Sequence, residues 1–183
     1  MNRISVLCIP LLLAACGGGS PFDAYGDQVE TLLDRYETTE NTQPAQFPDL
    51  ETATYTGVAA GAVGLDTVTE ESFAGDMTVD VNFAGNTFDG EISGLVNEFD
   101  ETIAGAVDLD GTLDLTTDVT FAQIDGTMSG LITTPDGLVT TVDGTIGGNF
   151  VGVGAPALVV IGEGEIDNFL GVDSLILVGI AER

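Results

Sequence analysis

Residues 79–94 read VDVNFAGNTFDGEISG, and on both sides of the central AGNT apolar residues or glycines alternate with polar residues. Alternation of this kind is typical of β-strands with one buried face. A two-residue turn at Gly85-Asn86 places Phe83 opposite Phe88 and keeps the apolar residues of both strands on one face, whereas a turn longer by one residue mixes the faces. The stretch therefore predicts a β-hairpin with Asp89-Gly90 inside a strand.

Two further Asp-Gly pieces show the same alternation, IDGTMSG (124–130) and VDGTIGG (142–148). Asp-Gly is a common hairpin-turn signal, but the residues around each one keep a polar face and an apolar or glycine face. Both pieces are therefore predicted as strands. The turn between them is predicted at Thr134-Pro135-Asp136-Gly137, where proline presets the second turn position and glycine permits a positive φ.

Strand-like alternation continues from Ala53 to the end of the chain, which predicts one β-domain over 53–183. Within it, Asp110-Gly111-Thr112 is interpreted as a three-residue loop that keeps Leu109 opposite Leu113, and the alternative is one very long strand. Glycines recur on the apolar face, and small inward residues let a sheet coil tightly. The predicted fold class is all-β, a single antiparallel up-and-down barrel of about eight strands.

Two other β-architectures agree less well with these strands than the barrel does. A β-sandwich is the alternative arrangement for the same strands. A membrane-spanning barrel is disfavoured, because the polar face of the predicted strands is rich in Asp and Thr and carries no aromatic girdle.

A short helix is predicted before the barrel, over residues 27–36. Asp27-Gln28-Val29-Glu30 matches a capping box, and four apolar residues follow at helical spacing: Val29, Leu32, Leu33 and Tyr36. We expect this helix to lie on the body of the barrel, with a partner-binding helix as the alternative. Residues 37–52 are polar, contain two prolines and are predicted as a linker.

The first residues of the chain have the features of a bacterial lipoprotein signal peptide, predicted over 1–15. Arg3 supplies the positive start, and the apolar run that follows is too short to span a bilayer as a helix. Leu13-Ala14-Ala15-Cys16 matches a lipobox, in which the thiolate of Cys16 receives a diacylglycerol. Residues 16–26 are predicted as the lipidated cysteine and a Gly/Ser tether. The alternative is an ordinary secretory signal.

Lipidation of Cys16 predicts a stable anchor, because two or three acyl chains, palmitate among them, hold a protein on a membrane. Gly17 rather than Asp follows the cysteine, which favours the outer membrane, with the protein either displayed on the cell surface or facing the periplasm. Cys8 lies in the removed segment, so the mature protein is expected to have neither a free thiol nor a disulfide.

The charge balance limits the partners of this chain. It has 30 acidic residues, 3 basic residues and no histidine, a formal net charge of −27. Such a protein is repelled by nucleic acids, anionic lipids and acidic glycans. Besides the membrane that holds its anchor, we expect an unknown protein or solute ligand, no nucleic acid, and a monomeric state.

No catalytic, metal or cofactor-binding residue is predicted. Without histidine or a free mature cysteine, Ser-His and Cys-His catalysis are excluded and zinc lacks its usual ligands. A carboxylate-dependent hydrolase is the least favoured class, since the chain has no Asp-Thr/Ser-Gly signature and no Trp. An EF-hand frame that uses Gly111 as its glycine puts Ala106 in the first ligand position. Two acidic series are thus interpreted as solvated strand faces: Asp108, Asp110, Asp114 and Asp118, and Glu163, Glu165 and Asp167.

Four pieces occur in order along the predicted barrel: ATYTG (53–57), VDVNFAGNTFDGEISG (79–94), GNFVGVGAPALVVIGEGEI (148–166) and ILVGIAER (176–183). Together they resemble the β-barrel domain of the transferrin-binding protein B family of surface lipoproteins. That family has a Y-x-G opening strand, a GN hairpin turn, a glycine loop before the penultimate strand and a terminal strand that ends near G-A-x-R. The resemblance covers most of the mature chain.

The resemblance implies a lipid-anchored, non-enzymatic barrel that presents loops to a ligand. The large binding lobes and the handle domain of the family are missing here. Two family pieces are altered, to Phe150-Val151-Gly152 and to Val159-Val160-Ile161-Gly162. Transferrin binding is therefore not carried over, and a structural envelope lipoprotein without a ligand is the alternative function.

Overall fold

The computed structural model describes most of the chain. The predicted signal peptide, the lipobox with Cys16, and Asp118 lie outside the described residues. The described ranges are 19–36, 39–47, 51–64, 71–116, 123–168 and 171–183.

A closed eight-stranded antiparallel barrel forms the body of the molecule, as predicted, and excludes the sandwich. Each strand pairs with the next one along the chain, and the last strand returns to the first, with Thr56 opposite Glu182. The elements are α1 (Pro21–Tyr36), a 3-10 helix (Pro44–Gln46), β1 (Thr52–Val63), β2 (Glu71–Asn82), β3 (Thr87–Asn97), β4 (Ala104–Leu113), β5 (Ile124–Thr133), β6 (Val139–Val151), β7 (Ala157–Asn168) and β8 (Gly171–Glu182).

Large side chains from one strand cover glycines on neighbouring strands inside the barrel. The Phe88 ring lies over Gly111 and Gly126, and a Cβ added at either position would come within 2.8 Å or 2.7 Å of that ring. The Met128 side chain lies in the same way over Gly144 and Gly164. An eight-stranded barrel has an interior just wide enough for side chains to fill. The glycines let the chain coil tightly while the core stays packed.

The three Asp-Gly pieces are strand segments, as predicted. Their glycines face the interior, and their aspartates Asp89, Asp125 and Asp143 are exposed on the outer face. The predicted loop at Asp110-Gly111-Thr112 is wrong, because β4 continues to Leu113. Gly111 pairs with Gly126 under the Phe88 ring, a close approach that only a continuous strand supplies.

The β2–β3 hairpin has its apolar residues on one face, as predicted, but its register differs by two residues from the prediction. Val81, not Phe83, lies opposite Phe88. The turn comprises four residues, 83–86, because the Phe83 backbone N–H donates to the Glu51 carbonyl oxygen at 3.0 Å and its ring leaves the ladder for the barrel end. Asn82 stabilises this wider turn, since its Oδ1 accepts from the Gly85 backbone N–H at 2.7 Å.

Helix α1 begins at Pro21, six residues before the predicted start, and ends at Tyr36 as predicted. The Ser20 hydroxyl oxygen accepts from the Asp23 backbone N–H at 3.0 Å, which caps the first turn, and proline at the first helical position is preset for the helical φ. Residues 21–26 are therefore helix rather than tether. None of the helices within the described ranges combines the length and hydrophobicity needed to cross a bilayer.

The helix packs on the outer face of the barrel, as expected. Its apolar stripe meets outward-facing residues of β1, β2 and β8 in a cluster of Phe22, Val29, Leu32, Val58, Ala60, Ala74 and Ile180. At its start, the Phe22 backbone N–H donates to Asp100 Oδ1 at 3.0 Å. At its end, Arg35 pairs with Glu182 at 2.5 Å. The helix therefore runs from one end of the barrel to the other.

We name the two barrel ends by their contents. The strap end carries the turn 83–86, the loop 152–156 and the end of β8, and is crossed by residues 39–47, the strap. The Phe99 end carries the loop 98–103, the turn 134–138 and the start of α1. The turn 134–138 forms as predicted, with Gly137 at a φ of 85°.

Candidate functional site

The strap, predicted as part of a linker, is held against the barrel by backbone hydrogen bonds. The Thr42 N–H donates to the Phe150 carbonyl oxygen at 2.8 Å, and its hydroxyl donates to the Gly152 carbonyl oxygen at 2.7 Å. The Gly154 N–H donates to the Gln46 carbonyl oxygen at 3.0 Å. The strap thus pairs with the end of β6 through Thr42 and holds the loop 152–156 through Thr42 and Gln46.

Gln123 joins the strap to the barrel from the interior and is fully buried. Its Nε2 donates to the Thr42 carbonyl oxygen at 2.8 Å, and its Oε1 accepts from the Phe150 N–H at 3.1 Å. A buried amide with both of its ends satisfied fixes one arrangement of the groups around it.

Four aromatic rings close the strap end. The Phe47 ring meets Phe150 edge-on at 5.4 Å between centroids and lies 6.0 Å from Phe83. Tyr55 packs on the other side of Phe150 at 5.8 Å. Edge-to-face and tilted rings at these distances attract beyond their burial. The cluster forms a plug beneath the strap.

The loop 152–156 is held in an unusual backbone conformation. Gly152, Gly154 and Ala155 all have positive φ angles, 84°, 83° and 51°, and for alanine this region is strained. The Tyr55 hydroxyl, from inside the barrel, donates to the Ala155 carbonyl oxygen at 2.8 Å. The C-terminal Arg183 guanidinium donates to the Gly154 carbonyl oxygen. These contacts make the loop a rigid feature.

Val153 stands at the tip of this loop with 79% of its surface exposed. Arg183 lies beside the loop, and Arg35 lies at the same end in its pair with Glu182. Both arginines that follow the predicted signal peptide are therefore at the strap end of a chain with 30 acidic residues. An exposed apolar tip beside the Arg183 guanidinium is suited to contact a ligand.

Gln123→Ala is expected to destabilise the protein by about 3 kcal/mol, because it leaves the Thr42 carbonyl and the Phe150 N–H buried without a partner, at about 1–3 kcal/mol for each group. Urea unfolding measures the loss, and limited proteolysis should show faster cleavage of the strap. Gln28→Ala, at an exposed position of α1, is the matched control. Equal stabilities for the two variants would contradict the role of Gln123 in joining the strap to the barrel.

Tyr55 gives the strap end a pH dependence at high pH. Burial raises the pKa of its hydroxyl to about 12, while the nearby Arg183 acts in the opposite direction. Between pH 10 and pH 12 the unfolded chain releases this proton and the folded chain retains it, so this contribution to stability is complete below pH 10 and declines above it.

Stability of the wild-type protein should therefore fall more steeply above pH 10 than stability of Tyr55→Phe. The measurement is urea unfolding of both proteins from pH 8 to pH 11.5. Tyr25 and Tyr36, whose pKa values are also raised by burial, are present in both proteins and cancel in the comparison. Parallel curves would contradict the assigned role of Tyr55.

The acidic series predicted as solvated faces lie on the outside of the barrel where the structure describes them. Asp108, Asp110, Asp114, Glu163, Glu165 and Asp167 are exposed. Within the described ranges, no three or more His, Cys, Asp or Glu side chains are grouped so as to hold a metal ion. Cross-strand pairing places like charges together, as in Asp89 opposite Asp110, which is destabilising in a sheet.

Sequence reasoning did not identify Thr42, Gln123 or Ala155 as parts of this end. Thr42 lies in the predicted linker, and Gln123 directly precedes the predicted strand at 124–130. The two residues are 81 positions apart along the chain, so no local pattern connects them. The glycines around Val153 were the available signal, because closely spaced glycines favour positive φ angles. The chain matches no protein-family model and no curated protein.

Proposed function

We propose that this chain is a lipid-anchored, non-enzymatic binding module of the bacterial outer membrane or cell surface, of the transferrin-binding-protein-like type. Cys16 carries the anchor, and the strap end, with Val153 at its tip, receives a protein or solute ligand. The mature protein acts as a monomer without a cofactor.

The direction in which α1 runs along the barrel is the observation that supports this proposal. The helix begins at the Phe99 end and ends at the strap end, a length of about 24 Å for its residues. Cys16 lies three residues before Gly19, so an extended tether reaches about 10 Å beyond the described chain. An anchor on Cys16 therefore leaves the barrel at the end opposite Val153, and the strap end points away from the membrane.

Replacement of Cys16 tests the anchor. Cys16→Ala should release the protein from the membrane fraction, whereas the wild-type chain sediments with it. Continued sedimentation of the variant would contradict the anchor. Protease added to intact cells then separates the two locations, because a chain displayed on the cell surface is cleaved and a chain facing the periplasm is not.

Capture by the immobilised full-length chain tests the binding surface. A protein or solute retained from envelope extract or growth medium should be retained by wild type and lost with Val153→Asp. Ile161→Asp, at a half-exposed position on the outer face of β7, is the matched control and should behave as wild type. If nothing that is captured depends on Val153, the strap end is not the binding surface and the structural envelope lipoprotein is favoured.

A further inference from the structure

Large apolar side chains are exposed at the Phe99 end, the end from which the chain leads to Cys16. Phe99 is 71% exposed in the loop 98–103. Three others stand on the outer face within three residues of a strand end. We call the four the apolar rim: Phe99, Leu131, Val139 and Val172.

The Phe99 ring is held in solvent by an ordered loop. Asn97 Oδ1 accepts from the Phe99 N–H at 3.0 Å and from the Glu101 N–H at 2.9 Å. Asp100 has a φ of 63°, and its Oδ1 accepts from the first turn of α1. The loop that exposes Phe99 is thus the loop that fixes the start of the helix.

The strand members of the rim are neighbours across the sheet. Leu131 lies opposite Thr141, and Val139 lies opposite Thr133, so the two apolar side chains are diagonal neighbours on the outer face of β5 and β6. Val172 lies opposite Asp167, which in turn lies opposite Thr141. The rim therefore follows one edge of the barrel wall.

We propose that the apolar rim rests on the surface of the membrane that holds the anchor, with the Phe99 ring in the interfacial region of the lipid. This inference rests on the proposed lipidation of Cys16. Phe22, whose N–H is bonded to Asp100, lies six positions after Cys16, and the chain between them spans at most about 21 Å. The anchor thus holds Phe99 close to the bilayer, where an aromatic ring is favoured.

The lipid is a zwitterionic surface such as phosphatidylethanolamine or phosphatidylcholine. Glu98, Asp100 and Glu101 surround Phe99, and Asp167 and Asp173 lie near Val172. Anionic headgroups would repel these carboxylates. The rim and the acidic groups together favour contact with a neutral lipid surface. Only the exposed apolar side chains enter the lipid, because the carboxylates beside them stay in water.

A single tryptophan can report this contact, because the chain contains none. Phe99→Trp and Val139→Trp place the fluorophore at the Phe99 end, and Val153→Trp, at an exposed position of the strap end, is the matched control. The full chain, purified from cells with its anchor, is incorporated into phosphatidylcholine vesicles. Brominated phosphatidylcholine then serves as the quencher, since it acts only on fluorophores in contact with lipid.

Quenching at positions 99 and 139 should exceed quenching at position 153 at least two-fold, and it should decrease when phosphatidylglycerol is added at low salt. Equal quenching at both ends, stronger quenching at position 153, or an increase with phosphatidylglycerol would overturn the inference. Acrylamide quenching of the tryptophan at position 99 is also measured without vesicles. If that quenching decreases as the protein concentration rises, a second copy of the chain covers Phe99, and the membrane contact is overturned.

Vesicle flotation in the same preparation separates the two proposals. Protein that floats with the vesicles but is not quenched at position 99 contradicts the membrane contact and leaves the anchor intact. Protein that does not float contradicts the anchor, and with it both the proposed function and the membrane contact.

Discussion

Gly126→Val is expected to prevent the barrel from closing, with a loss of about 3 kcal/mol or more in the free energy of unfolding. A Cβ at this position would lie 2.2 Å from the Asp110 carbonyl oxygen and 2.7 Å from the Phe88 ring. The first contact is with the backbone of β4, so relief requires a shift of the strand itself. The Phe88 ring also lies over Gly111, so it is packed against both glycines.

The measurement is urea unfolding followed by far-UV circular dichroism. Asp125→Ala is the matched control, since Asp125 precedes Gly126 in β5 and its side chain is exposed on the outer face. We expect the control to stay within about 0.5 kcal/mol of wild type. If the Gly126→Val protein is as stable as the control, the interior has room for the added side chain, and close packing between Phe88 and Gly126 is contradicted.

Phe150→Ala should destabilise the protein by about 3–5 kcal/mol, the usual cost of removing a fully buried phenylalanine. Phe150 is 0% exposed and touches the rings of Phe47, Tyr55 and Phe83. Its removal takes the centre out of the plug, so the strap should also be cleaved faster by protease.

Phe99→Ala is the matched control for this variant, because the same side chain is removed from a position that is 71% exposed. Its stability should lie within about 0.5 kcal/mol of wild type. Similar losses for the two variants would contradict the central role of Phe150 in the strap end.

The fold class was predictable because alternation in the sequence reports directly on the two faces of a strand. The prediction that Asp89-Gly90 and its two counterparts are strand segments is confirmed on this basis. The β2–β3 register was not predictable in the same way. A shift of two residues preserves both faces, so alternation cannot distinguish a two-residue turn from a four-residue turn.

The errors at Asp110-Gly111-Thr112 and at the start of α1 have a common cause. Local signals, Asp-Gly for a turn and Asp27 to Glu30 for a helix cap, were outweighed by nonlocal packing. Gly111 is held in β4 by its pairing with Gly126. The first turn of α1 is held by the burial of Phe22 and the bond from its N–H to Asp100, which is 78 positions away.

The candidate site also has one part that a local motif predicts and one part that depends on nonlocal contacts. The lipobox at Cys16 is a linear motif, so the sequence alone predicts it, and it stays a prediction because it lies outside the described residues. The strap end is assembled from segments near residues 42, 123 and 153. No local pattern links these segments, because their contacts depend on the closure of the barrel.

From the sequence alone, an all-β domain with glycines on one face of its strands and carboxylates on the other was predictable, and a barrel was favoured over a sandwich, since alternation and residue size act over neighbouring positions. The tertiary structure settled the closure into a barrel, the β2–β3 register, the burial of Gln123 beneath the strap, and the placement of Phe99 and Val153 at opposite ends. These features depend on tertiary contacts that no local pattern encodes, such as the bond from the Phe83 N–H to the Glu51 carbonyl oxygen and the bond from Gln123 to the Thr42 carbonyl oxygen.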